Sequence, residues 1–193
     1  MLHEVTLRPA QREDAPVIAR LFLISSDGLA EYIWARLGMA GRTPEEVGAA
    51  RYAREGEAFS YVNCTVAEYD GAVVGMVHSY PMDRPETPEE ESDPVLRPYA
   101  ELEDYGSLYI SSVAVLDGHR GQGLGHRLLD AVHAHAKALD RPRTSLICID
   151  RNEGAMRLYR RLGYRELDRR AIVPHPCLHY TEGEALLLAR PVE

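Results

Sequence analysis

The chain has 193 residues, of which 45% are hydrophobic, and a formal net charge of −8 at pH 7. This length suits one domain over residues 1–193 with a sizeable core, and the acidic balance disfavours a nucleic-acid partner. No apolar stretch approaches the ~20 residues that span a bilayer and no signal peptide is visible, so we expect a cytoplasmic protein without a membrane partner.

The first quarter of the chain predicts one strand followed by helices. The strand covers His3 to Arg8, and Asp14 is placed to cap a helix that has Pro16 in its first turn. Two further helical segments, Leu29 to Leu37 and Pro44 to Glu55, are separated by glycines and by a Thr-Pro start signal.

Two β-rich runs follow, Tyr61 to Tyr69 and Ala72 to Tyr80. Asp70-Gly71 lies between them and is a strong signal for a two-residue turn. The sequence therefore predicts a hairpin made by the second and third strands.

Residues 83–104 form an acidic segment, with nine Asp or Glu against two Arg, and prolines punctuate it. Such a composition favours a solvated loop without secondary structure. The alternative is that the segment borders a binding site and attracts a cationic ligand, since long loops often act as lids or binding loops. The sequence leaves both interpretations open.

A strand, a glycine-rich turn and a helix come next. The strand covers Tyr109 to Leu116, the turn is Arg120-Gly121-Gln122-Gly123-Leu124-Gly125, and the helix covers Leu124 to Leu139. The glycines leave backbone N–H groups unobstructed beside the positive end of the helix dipole, which is typical of a phosphate site. A Walker loop would need lysine and a hydroxyl where His126 and Arg127 stand, and a dinucleotide fingerprint would need glycine at His126. A connector without a ligand is the remaining alternative.

The last part of the chain predicts a strand, a helix and two further strands. The strands cover Thr144 to Asp150, Tyr164 to Val173 and Glu184 to Arg190. Between the first two, Asn152 is a good helix N-cap and Gly163 is placed as a left-handed C-terminal cap. The order of elements indicates a mixed sheet with helices on both faces.

Cysteine and histidine spacing does not favour a metal site. Cys64, Cys148 and Cys177 are widely spaced, which argues for reduced thiols that serve in packing. His175 and His179 flank Cys177, but no further ligand pair is visible, so we expect an ordinary loop and no metal.

Two motifs together resemble those of the GCN5-related N-acetyltransferase (GNAT) superfamily. Arg-x-x-Gly-x-Gly at residues 120–125 resembles its acetyl-CoA pyrophosphate loop, and Asn152, Tyr159 and Leu162-Gly163-Tyr164 are similar to its second cofactor motif. The resemblance implies a single-domain α/β fold with a mixed, mostly antiparallel sheet of six or seven strands. It also implies helices on both faces and a splay between the fourth and fifth strands.

The same resemblance implies acetyl-CoA as the donor and a primary amine as the acceptor, which we expect to be a cationic small molecule. Tyr159 would protonate the departing thiolate, since a phenol is neutral at physiological pH and can donate a proton. Glu103, just before the central strand, is our candidate for the general base. The residues expected to bind the cofactor are Val113, Ala114, Val115, Arg120, Gly121, Gln122, Gly123, Leu124, Gly125, His126, Asn152 and Tyr159.

Alternatives stay open for the base, the acceptor and the activity. Glu101 or Asp104, Tyr109 or Ser111 on the central strand, or water could take the proton instead of Glu103. Some relatives that acetylate protein N-termini have a glutamate where this chain has Ile147, so the sequence favours a small molecule over a peptide or protein acceptor. A non-catalytic acyl-CoA-binding sensor is the rival from another class, and the exposed C-terminal edge strands suit a homodimer.

Overall fold

The computed structural model describes residues 5–37, 41–87 and 90–192. The first two residues of the predicted strand, His3 and Glu4, lie outside the described residues, as do Gly38, Pro88 and Glu89.

Within these ranges, seven strands form one sheet in the order β1-β2-β3-β4-β5-β7-β6. The strands are β1 Thr6–Pro9, β2 Cys64–Tyr69, β3 Ala72–Pro81, β4 Leu108–Val115, β5 Arg143–Ile149, β6 Arg165–Ala171 and β7 Glu184–Pro191. The helices are α1 Ala15–Ser25, α2 Leu29–Arg36, α3 Pro44–Tyr52, α4 Arg97–Ala100, α5 Leu124–Ala138 and α6 Glu153–Arg161.

The sheet is mixed and mostly antiparallel, which confirms the predicted fold class. β1 with β2, β2 with β3, β5 with β7 and β6 with β7 are antiparallel, whereas β4 and β5 are parallel. The parallel register runs from Leu108–Thr144 to Ile110–Leu146, at the start of both strands. The predicted splay requires β4 and β5 to pair where both strands begin, and the parallel ladder lies there.

The chain divides into two compact units, and it passes from one to the other within β3, β4 and α5. The first unit comprises Met1–Ser79 and Ser112–Ala131, and the second comprises Tyr80–Ser111 and Val132–Glu193. The prediction that residues 1–193 form a single domain stays a prediction.

The core of the first unit is aromatic where the helices meet the sheet. The ring of Phe22 stacks on Trp34 with centroids 5.6 Å apart, and Tyr52 and Phe59 lie against the same ring. α3 approaches Trp34 closely at Gly48, where a Cβ atom would lie 2.3 Å from the indole. Glycine is therefore required at this position by packing, because indole and backbone leave no room for a side chain.

The second unit combines an apolar cluster with buried hydroxyl pairs. Ser107, just before β4, shares a hydrogen bond of 2.6 Å with Ser145 of β5, and Thr144 Oγ1 lies 2.9 Å from Tyr164 Oη. These pairs satisfy polar groups that burial would otherwise penalise. The apolar cluster contains Leu102, Ile149, Ile172, Ala185 and Leu187.

The Asp70-Gly71 hairpin is confirmed. Both residues have left-handed φ values, 51° and 76°, and Tyr69 pairs directly with Ala72. Two consecutive left-handed residues match the twist of the flanking strands, which explains the Asp-Gly sequence.

Three predictions differ in detail from the structure. Asp14 holds the predicted N-cap position of α1, but its side chain makes no cap bond to the helix, because the carboxylate accepts from the Gln11 N–H at 2.7 Å and from Arg8. Residues Tyr61–Asn63 form a 3₁₀ turn capped by Ser60, so β2 begins three residues later than predicted. The acidic segment is not wholly irregular, since α4 forms within it.

Candidate functional site

The glycine-rich turn lies in the first unit, between β4 and α5. Leu116 N–H donates to Val74 O at 2.9 Å, a 3₁₀ turn follows at Asp117–His119, and α5 then begins at Leu124. Gly121 and Gly123 have φ values of +74° and +80°, in the left-handed region that L side chains rarely adopt. A Cβ atom at either position would meet nothing within 4 Å, so packing does not exclude a side chain. Glycine is therefore required by the backbone conformation alone.

The backbone of this turn is suited to an anion. Arg120 is extended, with φ −71° and ψ 161°, and the glycines at 121 and 123 leave the backbone of the turn unobstructed by side chains. The first N–H groups of a helix have no partner within the helix, and the helix dipole is positive at that end. α5 is 15 residues long, so its dipole is fully developed.

Side chains of the turn bind its own backbone. Arg120 Nε donates to Val115 O at 2.8 Å, and its Nη1 lies 2.8 Å from Asp117 Oδ1. Gln122 Nε2 donates to Gly118 O at 3.4 Å. These contacts hold the loop in shape, and the predicted cofactor-binding role of these two side chains stays a prediction.

The remaining residues of the first motif are divided between core and surface. Leu124 is buried, with 3% of its surface exposed, whereas the His126 imidazole lies 3.0 Å from Asp130 on the surface of α5. On β4, Ala114 is buried and its neighbours Val113 and Val115 are half-buried. β3 lies close beside this strand, since a Cβ atom on Gly75 would be 2.9 Å from the Ala114 carbonyl oxygen.

The second motif lies in the second unit, where α6 has both predicted caps. Asn152 Oδ1 accepts from the Ala155 N–H at 3.2 Å, which confirms the N-cap. Gly163 has φ +87°, and hydrogen bonds run from Tyr164 N to Tyr159 O and from Gly163 N to Arg160 O. This pair of bonds is the Schellman motif, so the left-handed cap is confirmed.

Tyr159 lies on the buried side of α6, with 8% of its surface exposed. Its ring packs edge-on against Tyr164 with centroids 5.7 Å apart. Tyr164 shares a hydrogen bond with Thr144 of β5. The Tyr159 ring therefore packs against a side chain that is itself bonded to the sheet.

The acidic residues that precede β4 have different surroundings. Asp104 is buried and accepts from Arg143 Nε at 2.8 Å, and Glu101 accepts from Arg170 Nε at 2.8 Å. Glu103 is exposed, and its Oε2 accepts a short hydrogen bond from Tyr105 Oη. Of these carboxylates, Glu103 is therefore the one whose charge no arginine neutralises among the described residues.

Two tyrosines lie near Glu103, and of these only Tyr109 was considered from the sequence as a site residue. The rings of Tyr80, at the end of β3, and Tyr109, at the start of β4, are 5.7 Å apart. Burial and the nearby Glu103 charge raise the pKa of Tyr80 to about 12, and burial together with Tyr80 and Glu103 raises the pKa of Tyr109 further. The sequence placed Tyr109 on the strand but contains no local signal that pairs it with residue 80.

The cysteines are not arranged for nucleophilic catalysis. Cys64 and Cys148 are buried with 4% and 6% of their surfaces exposed, and burial raises the pKa of the Cys64 thiol.

Over residues 5–37, 41–87 and 90–192, no group of three or more metal-ligating side chains is found. In the same ranges, no helix has the length and apolarity needed to cross a membrane.

Comparisons with known proteins give one family and one fold. The sequence model of the Acetyltransferase (GNAT) family matches residues 29–164, a range that contains both motifs. No curated protein sequence matches the chain.

Solved structures resemble the chain over nearly its full length. A crystal structure of an acetyltransferase is 23% identical with a TM-score of 0.67, covering 97% of this chain and 100% of that chain. The ribosomal-protein-S18-alanine N-acetyltransferase from Escherichia coli is 16% identical with a TM-score of 0.63, covering 98% and 95%. A GNAT family acetyltransferase from Elizabethkingia anophelis with acetyl-CoA bound is 19% identical with a TM-score of 0.60, covering 97% of each chain. At these identities the likeness establishes the fold.

Proposed function

The chain belongs to the acetyltransferase (GNAT) family, and from that premise we propose that it transfers acetyl from acetyl-CoA directly to a primary amine of a small molecule. The observation that supports this most strongly is the pair of left-handed glycines, Gly121 and Gly123, immediately before α5. A backbone of this shape can bind the pyrophosphate of acetyl-CoA through N–H groups.

Each cofactor residue has a proposed role that fits its surroundings. Arg120 to His126 form the pyrophosphate loop, with Arg120 and Gln122 holding its shape. Main-chain groups of Val113 and Val115, on either side of Ala114, bind the pantetheine amides as a neighbouring strand would. Asn152 both caps α6 and contacts the cofactor.

The proposed chemistry is acyl transfer without a covalent enzyme intermediate. The amine nitrogen attacks the thioester carbonyl carbon, and a main-chain N–H of β4 near Val113 to Val115 stabilises the oxyanion. Collapse of the tetrahedral intermediate breaks the C–S bond, and Tyr159 Oη donates a proton to the departing thiolate. Direct transfer is favoured because Cys148 is buried and neither motif contains a cysteine.

Glu103 is the proposed general base. Its carboxylate is exposed and, unlike Asp104 and Glu101, is not neutralised by an arginine within the described part of the chain. It can accept the proton that the nitrogen loses, directly or through one water.

The acceptor is proposed to be a small cationic amine. The acidic residues of segment 83–104 and the isoleucine at position 147 both support this class over a peptide. The cytoplasmic location and the homodimer stay predictions.

The proposal is tested by calorimetric titration of acetyl-CoA, followed by thiol release with polyamines, amino acids, aminoglycosides and short peptides. Binding with amine-dependent release supports the transferase and identifies its acceptor class. Binding without release with any acceptor would favour a non-catalytic acyl-CoA sensor. An absence of binding would contradict the pyrophosphate role of residues 120–125.

A further inference from the structure

An aromatic and acidic cluster lies in the second unit at the start of β4. It is formed by Tyr80 from the end of β3, Tyr109 from the start of β4, and Glu103 from the loop just before β4. The two rings meet at an interplanar angle of 67° with centroids 5.7 Å apart, and both tyrosines are partly exposed. Two rings in this arrangement offer a ligand both an aromatic face and an aromatic edge.

Glu103 supplies a negative charge next to these rings. Tyr105 donates to Oε2, and no hydrogen bond to Oε1 is found among the described residues. The charge acts on both phenols, because it contributes to the raised pKa of Tyr80 and of Tyr109, in each case after burial. Glu103 also precedes Tyr109 by only six residues, so its carboxylate adds negative charge on the side of the chain where β4 begins.

The cluster already has a cation at its edge. The Arg84 guanidinium lies 5.1 Å from the centroid of the Tyr105 ring, and Tyr105 in turn donates to Glu103. The guanidinium thus packs against a ring whose hydroxyl bonds to the Glu103 carboxylate. An alkylammonium has the same requirements, since its charge is attracted to a carboxylate and to an aromatic face while its stem packs against ring carbons.

We propose that Tyr80, Tyr109 and Glu103 form the subsite that receives the acceptor as an alkylammonium, with the rings against its stem and the carboxylate facing its charge. This inference rests on the proposed acetyl transfer and specifies its substrate class. Tyr109 belongs to β4 and lies near the start of that strand.

Glu103 and Tyr109 differ in solvent exposure, and this difference can help an alkylammonium to lose its proton. Glu103 is exposed and attracts the ammonium from solvent, whereas Tyr109 is more deeply enclosed. Desolvation favours the neutral amine over the ammonium, so a nitrogen that moves toward Tyr109 loses its proton more readily. The proton passes to the Glu103 carboxylate or to water, and the free electron pair of the nitrogen then attacks the thioester.

Benzylamine and aniline provide a matched pair of probes, because they are similar in shape but only benzylamine is cationic at neutral pH. We expect Tyr109→Leu and Tyr80→Leu each to lower kcat/KM for benzylamine about tenfold more than for aniline. Tyr109→Phe retains the ring and should restore most of the preference. Glu101→Gln is the control, since that carboxylate pairs with Arg170 and should leave the ratio unchanged.

Glu103→Gln separates binding of the cation from proton transfer. The subsite predicts that the loss for benzylamine exceeds the loss for aniline by about tenfold, and that high salt reduces this excess. An equal loss for both amines would assign Glu103 to proton transfer alone and would overturn the subsite. The subsite would also be overturned if the ratio of kcat/KM for benzylamine to that for aniline were unchanged in both leucine variants.

Failure of the subsite can be told apart from failure of the proposed function. If no amine releases thiol from acetyl-CoA, the transferase proposal fails and the subsite is decided by direct titration of benzylamine. Wild type should then bind benzylamine about tenfold more tightly than Glu103→Gln, and equal binding would overturn the subsite.

Discussion

The two units present different kinds of groups to a ligand. In the first unit, the glycine turn is made by neighbouring residues, and Arg120 and Gln122 bind the backbone of the turn itself. In the second unit, Tyr80, Glu103 and Tyr109 come together from separate segments and interact through their side chains. Substitutions in the first unit should therefore act through backbone conformation, and those in the second through side-chain chemistry.

Tyr159 gives the largest expected effect in the second unit. Tyr159→Phe removes the proposed acid while keeping the ring that packs against Tyr164. We expect kcat to fall at least about a hundredfold with little change in the Kd for acetyl-CoA, since general acid catalysis typically contributes that much. Steady-state thiol release and calorimetry on the same preparation measure the two quantities.

Tyr164→Phe is the matched control for this substitution. It removes the hydroxyl that bonds to Thr144 and should cost about 1 kcal/mol of the free energy of unfolding with a much smaller change in kcat. Equal losses of kcat in the two variants would show that Tyr159 acts through packing.

His78 sharpens the comparison, because in the first unit it is a buried titratable side chain that we expect to affect stability alone. Its Nε2 lies 2.9 Å from Ala58 O, and burial lowers its pKa to about 4. The unfolded chain binds this proton near the ordinary pKa of about 6.5, so the stability is complete above that pH and is lost as the pH falls toward 4. The expected loss is about 3 kcal/mol in the free energy of unfolding.

Denaturant unfolding of wild type and His78→Gln between pH 7 and pH 4 measures this contribution. The glutamine amide can still donate to Ala58 O but does not titrate in this range, so the variant should have a shallower pH dependence. Parallel curves for the two proteins would contradict the assignment to His78.

Much of the fold and of the first motif was predictable because the signals are local. Asp70-Gly71 specifies its turn by two left-handed φ values, and Asn152 and Gly163 specify the ends of α6 through adjacent backbone groups. The glycine turn has the same character, since Gly121 and Gly123 are needed for their φ values. Patterns of this kind depend on a few consecutive residues.

What the sequence did not predict depends on contacts between separated segments. Asp14 holds the predicted N-cap position, but its carboxylate bonds to Arg8 instead of the helix, and Arg8 also binds Glu68 of β2. Tyr80 and Tyr109 become neighbours only when β3 and β4 lie side by side in the sheet. No spacing within the sequence predicts that these two rings are in contact, so the pair could be identified only from the structure.

Substitution of Asp104 tests whether a buried ion pair between side chains also stabilises the second unit. Its carboxylate is 8% exposed and accepts from Arg143 on β5, so Asp104→Asn leaves that arginine without its charged partner. We expect a loss of about 2 kcal/mol in the free energy of unfolding. Glu101→Gln breaks an exposed pair and should cost less than about 1 kcal/mol, and equal losses would contradict the role assigned to burial.

Gly123 gives the smallest effect and tests the backbone role of the first unit. Gly123→Ala adds a side chain that meets nothing within 4 Å, but it strains a residue held at φ +80° by about 1–2 kcal/mol. Because the strain is relieved by moving the N–H groups of the turn, we expect the Kd for acetyl-CoA to rise about tenfold. Gly118→Ala is the control, since Gly118 is equally open but not left-handed, and it should change neither stability nor binding appreciably. If both variants bound acetyl-CoA like wild type, the turn would not need its left-handed glycines and the distinction between the two units would fail.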